Sequence, residues 1–138
     1  MLSPQFWGIF CDDVRHEIGG KYTLVGCYGT HMGVPHFPFT MSKLCFSFTY
    51  TSNIDSIPEN IKVSIHRDDK SLFNVNLSID AEAEADSREE TFTATGGFEV
   101  PNLTFDGPCL IATEAMVDGE KFKGPTLRVE EMRFPPQH

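Results

Sequence analysis

Long apolar runs are missing from this sequence, and no segment approaches the roughly 18 apolar residues of a membrane-spanning helix. The stretch MLSPQFWGIFCDD has no basic residue ahead of its apolar part, which Gly8 interrupts and Asp12 ends. It therefore lacks the features of a signal peptide. We expect a protein that does not associate with membranes and resides in the cytoplasm.

Basic side chains are scarce, because 11 Lys and Arg stand against 20 Asp and Glu, a formal net charge of −9. A chain of this sign repels nucleic-acid phosphates, so we expect no direct nucleic-acid binding, whereas a basic protein partner would suit it. Charged residues make up 22% of the chain and hydrophobic residues 40%, which is typical of a folded protein. The 138 residues predict one domain over 1–138, with a frayed tail at about 134–138.

Motifs of the common enzyme classes are also missing. The chain has no G-x-G-x-x-G, no G-x-S-x-G and no H-E-x-x-H. None of its four cysteines forms a C-x-x-C pair, and we expect free, mostly buried thiols. These absences predict a protein that is not an enzyme and has no catalytic residues, no cofactor and no resident metal.

Alternation of apolar and polar residues is what the sequence does have, from end to end, as in Leu44, Phe46, Phe48 and Tyr50. Such runs, separated by turn signals, are typical of antiparallel strands with one face in a core. They predict roughly eight or nine strands, at about 5–15, 20–28, 40–51, 60–66, 72–81, 91–100, 109–117, 120–123 and 126–132.

Strands of this number and spacing predict an all-β fold, either a sandwich or a barrel. We favour a two-sheet antiparallel sandwich, because inward Phe, Ile, Val and Leu fill a two-layer core. The architecture would be immunoglobulin-like but without the immunoglobulin disulfide and core tryptophan, since the single tryptophan, Trp7, lies on the first strand.

Charged side chains concentrate on the first predicted strand, in FCDDVRHEIGG. Asp13, Arg15 and Glu17 share one face, and an arginine between two carboxylates predicts ion pairs that help to fix strand register. Alternatively, Asp12, Asp13 and His16 could bind a metal or act as acid and base. We prefer the structural interpretation because no nucleophile is visible nearby.

A second group with metal-binding chemistry is Cys27, His31 and His36, spaced C-x3-H-x4-H. Zinc accepts such ligands, but a fourth ligand is missing and the spacing matches no established site. Two glycines and a proline within this stretch predict a surface loop with incidental histidines.

The segment SIDAEAEADSREE is the most distinctive charge feature. If it continues the preceding strand, its carboxylates project from one face at a spacing near that of nucleic-acid phosphates, as a DNA-mimicking inhibitor would need. A charged edge strand that resists aggregation, a polar loop or a short helix are the alternatives. The residues of this predicted acidic stripe are Asp80, Glu82, Glu84 and Asp86.

The opening of the chain, through VPHFPF, resembles an uncharacterised family, a domain of unknown function, of small bacterial and phage β-sandwich proteins. The matching pattern is a Cys-Asp, an Arg, a Gly-Lys turn, a Leu-x-Gly-x-Tyr strand and a Phe-Pro. The resemblance implies a β-sandwich of bacterial or phage origin, in the host cytoplasm if a phage encodes it, with no established activity. The positions are Cys11, Asp12, Arg15, Gly20, Lys21, Leu24, Gly26, Tyr28, Phe37 and Pro38.

These observations predict a non-enzymatic accessory protein that binds a protein partner or assembles with itself. A phage-encoded inhibitor that presents the acidic stripe to a basic host protein is the alternative, and a metal-binding or hydrolytic module is a third hypothesis. The predicted contact residues are Asp12, Asp13, Arg15, His31, Phe37 and Phe39.

Overall fold

The computed structural model describes residues 3–81 and 90–132, so the predicted tail at 134–138 lies outside the described residues. The described residues form a four-stranded sheet in the order β2-β1-β4-β7 and a five-stranded sheet in the order β3-β9-β8-β5-β6. The predicted all-β, two-sheet sandwich is therefore confirmed. The strands are β1 (Gln5–His16), β2 (Tyr22–Cys27), β3 (His31–Val34), β4 (Phe39–Asn53), β5 (Asn60–Arg67), β6 (Lys70–Ser78), β7 (Thr91–Phe105), β8 (Cys109–Val117) and β9 (Glu120–Glu131).

The core lies between the two sheets and follows directly from the alternation in the sequence. In β4, Phe46 and Phe48 point inward and are almost fully buried, and the ring of Phe46 lies 4.9 Å from that of Phe10. Burying a side chain of this size stabilises the fold by roughly 2–3 kcal/mol. The opposite sheet contributes aliphatic residues to the same cluster, among them Ile61, Val63, Ile65, Ile111, Leu127 and Val129.

Two elements differ from the sequence prediction. Residues 31–34, expected to be loop, form β3, which pairs in parallel with β9 and buries Met32 and Val34. A strand of four residues is too short for its alternation to stand out. The strands expected at 120–123 and 126–132 are one strand, β9, because a register shift against β8 accommodates Pro125, whose carbonyl accepts a hydrogen bond from Thr113.

β1 pairs with β4 along its first part and with β2 along its last part. From Gln5 to Cys11, β1 pairs with β4 on one side. From Asp13 to His16, its described pairing is with β2 alone. The far end of the β1–β2 hairpin and the outer face of β4 and β7 border one cavity.

Candidate functional site

A groove of about 680 Å³ lies between the end of the β1–β2 hairpin and the outer face of the four-stranded sheet. We call it the outer groove. Its floor is made by Lys43, Cys45 and Ser47 of β4 and by residues 95–99 of β7, which is the edge strand of the sheet. Its wall is made by the hairpin residues Asp13, Val14, His16, Gly20 and Tyr22.

Ion pairs join the wall of the outer groove to its floor. Lys43 Nζ lies 2.6 Å from Asp13 Oδ1 and 3.6 Å from Glu99 Oε2, and Arg15 Nε lies 3.6 Å from the other Asp13 oxygen. The hydrogen bond from Lys43 holds the pKa of Asp13 below its usual value. Two carboxylates and two cations thus meet at this rim, and Glu99 contacts only the lysine that Asp13 shares.

The predicted ion pairs along β1 are only partly present. Arg15 pairs with Asp13, but the Glu17 carboxylate accepts a hydrogen bond from the Thr23 hydroxyl at 3.3 Å, so it is directed toward β2. Glu17 lies just beyond the last paired residue of β1, where the chain already turns, and strict alternation no longer sets the direction of its side chain.

The thiol of Cys45, on the floor of the outer groove, is not activated for reaction. Cys45 is buried although it faces outward, and its thiol donates to the carbonyl of Asp12 at 3.6 Å. Burial raises the pKa of this thiol, so it stays protonated at neutral pH and is a poor nucleophile. A surface of this kind is suited to binding rather than to covalent chemistry.

The edge of the groove carries small side chains. On β7, the outward-facing Thr91, Thr93, Thr95 and Gly97 are exposed and small. Among the described strands, β7 is hydrogen-bonded to β4 alone, so the other side of its backbone is an unpaired edge. Gly96 borders the cavity and has no side chain, so backbone itself lines the groove. Residues 91–100 of this edge contain no lysine or proline, and Pro101 follows them within β7. Exposed edges without these residues are where other chains add strands.

Exposed apolar side chains continue this outer face beyond the groove. Trp7 is 45% exposed and Ile9 is 41% exposed, and both project from β1. Ile9 lies directly opposite Ser47 of the groove floor. Large exposed apolar residues beside a groove are typical of protein-contact surfaces.

The pattern that carried the family resemblance has a structural explanation at the β1–β2 pairing. The Tyr28 hydroxyl donates a hydrogen bond to the Asp12 carboxylate. Gly26 lies beside that carboxylate, and a Cβ at this position would overlap it. The φ of Gly26 is +66°, a conformation that also favours glycine. Burial and the nearby Asp12 raise the pKa of Tyr28, which keeps its hydroxyl protonated.

The other predicted contact residues lie apart from the outer groove. His31, on β3, has Nε2 at 3.9 Å from Glu130 and Nδ1 at 2.8 Å from the Thr30 hydroxyl. Phe37 and Phe39 are partly buried and pack against the core. Of the six predicted residues, the structure brings Asp13 and Arg15 to the groove rim, while Asp12 faces a separate small cavity with Tyr28.

The residues considered as metal ligands are engaged separately. Asp13 pairs with Lys43, Asp12 with Tyr28, and His36 Nδ1 lies 3.0 Å from the Pro38 carbonyl. In residues 3–81 and 90–132, no three His, Cys, Asp or Glu side chains are grouped closely enough to hold a metal ion.

The acidic stripe falls largely outside the described residues. Asp80 is described, whereas Glu82, Glu84 and Asp86 are not. The stripe therefore stays a prediction. Sequence reasoning in turn missed Lys43 and residues 95–99, because no local signal shows that strands so far apart in sequence share one groove.

Comparison with known proteins gives a family but no relative of known function. No curated protein and no solved structure matches the chain. Within the described part of the chain, no helix has the length and apolar character needed to cross a membrane. A family model matches residues 7–130, nearly the whole sequence. The resemblance to an uncharacterised family is confirmed, and the chain belongs to the family of unknown function DUF6941.

Proposed function

We propose that the protein is a non-enzymatic binding domain that takes up an extended segment of a partner protein along β7. The segment would pair with the free edge of this strand and place side chains in the outer groove. The observation that carries the proposal is that the floor of the groove reaches the unpaired edge of the sheet.

Strand addition supplies affinity through the backbone and specificity through alternate side chains. Successive side chains on one face of a strand are about 6.7 Å apart, which matches the spacing of Thr95, Gly97 and Glu99 along the groove. Small side chains at the first two positions leave room for large side chains on the incoming segment. Trp7 and Ile9 extend the same face and would contact residues of the partner beyond the segment.

The exposed carboxylate of Glu99 and the net charge of the chain favour a basic segment. Glu99 is 61% exposed and shares Lys43 with Asp13, so a second cation near Glu99 would find an incompletely neutralised carboxylate. The net charge of −9 attracts a basic partner over a longer range. Such attraction weakens with added salt, because the pairs at the rim are solvent-exposed.

Bacterial or phage origin and a cytoplasmic location form part of the same proposal. The free thiols support the location, because an exposed cysteine such as Cys27 persists most easily in a reducing compartment. The family match does not bear on the origin of the chain, which stays a prediction.

Fluorescence polarisation with a labelled peptide of about eight alternating lysines and valines tests the proposal. A peptide with glutamate in place of lysine is the control for charge. We expect Thr95→Trp, which fills the groove, to weaken binding of the basic peptide by about tenfold or more. The matched variant Thr91→Trp, on the same face of the same strand but outside the groove, should bind within about twofold of the native protein.

Equal binding by the Thr95→Trp and Thr91→Trp variants would contradict the proposal, as would equal affinity for the acidic and basic peptides. Light scattering, which measures the mass in solution, would show whether a second copy of the chain binds at the edge of β7 instead. If the native protein dimerised and Thr95→Trp made it monomeric, the edge of β7 would bind a second copy of the chain, and the partner-segment proposal would be wrong.

A further inference from the structure

Three of the four cysteines lie in one row across the four-stranded sheet. Cys11 on β1 is directly opposite Cys27 on β2 and directly opposite Cys45 on β4. Residues opposite one another on antiparallel strands project from the same face, so the three thiols are neighbours. Cys45 belongs to the floor of the outer groove, whereas Cys11 and Cys27 do not line it.

The two pairs in the row differ in geometry. The amide of Tyr28 donates to the carbonyl of Phe10 at 2.8 Å, and these residues flank Cys27 and Cys11. In an antiparallel ladder, the neighbours of a hydrogen-bonded pair form a non-hydrogen-bonded pair, with Cα atoms about 4.5 Å apart. Cys11 and Cys27 are such a close pair, and this separation falls within the range that a disulfide spans.

The pair formed by Cys11 and Cys45 is less suitable. The backbone groups of Cys11 point away from β2 and toward β4, so this pair is hydrogen-bonded, with Cα atoms about 5.5 Å apart. Side chains diverge more at such positions, whereas a disulfide needs Cβ atoms at about 3.8 Å. The Cys45 thiol also donates to the Asp12 carbonyl.

Accessibility assigns an order of events to the close pair. Cys27 is exposed, whereas Cys11 has no exposed surface. Burial, together with the neighbouring Cys45 and Cys27, raises the pKa of Cys11 to about 11. An oxidant in solution therefore meets Cys27 first, and Cys11 reacts only with a sulfur already attached beside it.

We infer that Cys27 and Cys11 are a thiol–disulfide exchange site for a small disulfide such as oxidised glutathione. The Cys27 thiolate attacks one glutathione sulfur, which forms a mixed disulfide and releases one glutathione thiolate that takes up a proton. Cys11 then attacks Cys27 Sγ, its proton passes to the departing sulfur, and the second glutathione leaves as a thiol. One disulfide is reduced to two thiols while two protein thiols become one disulfide.

Incubation of the native protein with oxidised glutathione, followed by intact-mass measurement and peptide mapping, tests the inference. We expect the mass to fall by two hydrogens and the mapped link to join Cys11 to Cys27. The bond closes the loop of residues 12–26, so the melting temperature should rise by about 10 °C and return to its starting value after reduction.

Variants assign the roles of the three thiols. Cys27→Ser changes an exposed residue and should abolish oxidation, while Cys45→Ser should leave the Cys11–Cys27 link intact. Cys11→Ser should accumulate the mixed disulfide with glutathione at Cys27. A mapped link between Cys11 and Cys45, or a native protein that retains glutathione on Cys27 without forming a link, would overturn the inference.

Discussion

Replacing Gly26 by alanine tests whether the contact between Asp12 and Tyr28 holds the β1–β2 hairpin in place. Alanine at the positive φ of this position costs about 1 kcal/mol. Its Cβ would also overlap the Asp12 carboxylate, which must then turn away from the Tyr28 hydroxyl. A hydrogen bond to a charged group at this partly exposed site contributes about 1–1.5 kcal/mol, so the expected total loss is about 2–2.5 kcal/mol.

Gly20→Ala is the matched control, because Gly20 has a φ of +75° and no atom within 4 Å of the added Cβ. Gly20→Ala should lower the free energy of unfolding only through the positive φ of its backbone, by about 1 kcal/mol. Tyr28→Phe alone should cost about 1 kcal/mol and should add almost nothing to Gly26→Ala, because the same hydrogen bond is lost in both variants.

Urea unfolding of the native protein, the three single variants and the Gly26/Tyr28 double variant measures these free energies. Equal losses for Gly26→Ala and Gly20→Ala would refute the reasoning, since the overlap with Asp12 would then have no consequence. Additive losses in the double variant would refute it as well.

Three further predictions concern the core, the thiols and the acidic stripe. Phe46→Ala should destabilise the protein by about 3–5 kcal/mol in urea unfolding, since this ring is fully buried among other phenylalanines. The raised pKa of Cys11 means that the folded state binds this proton more tightly than the unfolded state does. The contribution of Cys11 to the free energy of unfolding is therefore fully present below about pH 9 and is lost as the pH rises toward 11, which urea midpoints across that range should show. Replacing Glu82, Glu84 and Asp86 of the acidic stripe by lysine should lower the affinity for the basic peptide less than about threefold in polarisation assays, because the binding site is the groove. Complete loss of binding would favour the inhibitor hypothesis.

The sandwich could be predicted from the sequence because the alternation of apolar and polar residues shows which face of each long strand is buried. Phe46 and Phe48, two residues apart, point to the same core whichever strands lie beside them. The short β3 could not be predicted in this way, because its partner β9 is distant in sequence and its four residues carry too little pattern.

The groove could be predicted only in part. The charge of Asp13 and Arg15 was visible in the sequence, but their neighbours Lys43 and Glu99 come from two other strands. Which side chains meet depends on the register of three strand pairs and on the point where β1 leaves β4. The same holds for the row of cysteines, since the spacing of Cys11, Cys27 and Cys45 along the chain contains no sign of their alignment.

The central claim is that an extended basic segment binds along residues 95–99 of β7. Titration of the isotope-labelled protein with the alternating lysine–valine peptide, followed by amide NMR spectra, tests it most directly. The account predicts that the largest shifts fall on Thr95, Gly97 and Glu99 and on the facing hairpin around Tyr22. Shifts concentrated instead on His31 and Phe39, with residues 95–99 unchanged, would contradict it and would place the contact surface at β3 and the start of β4.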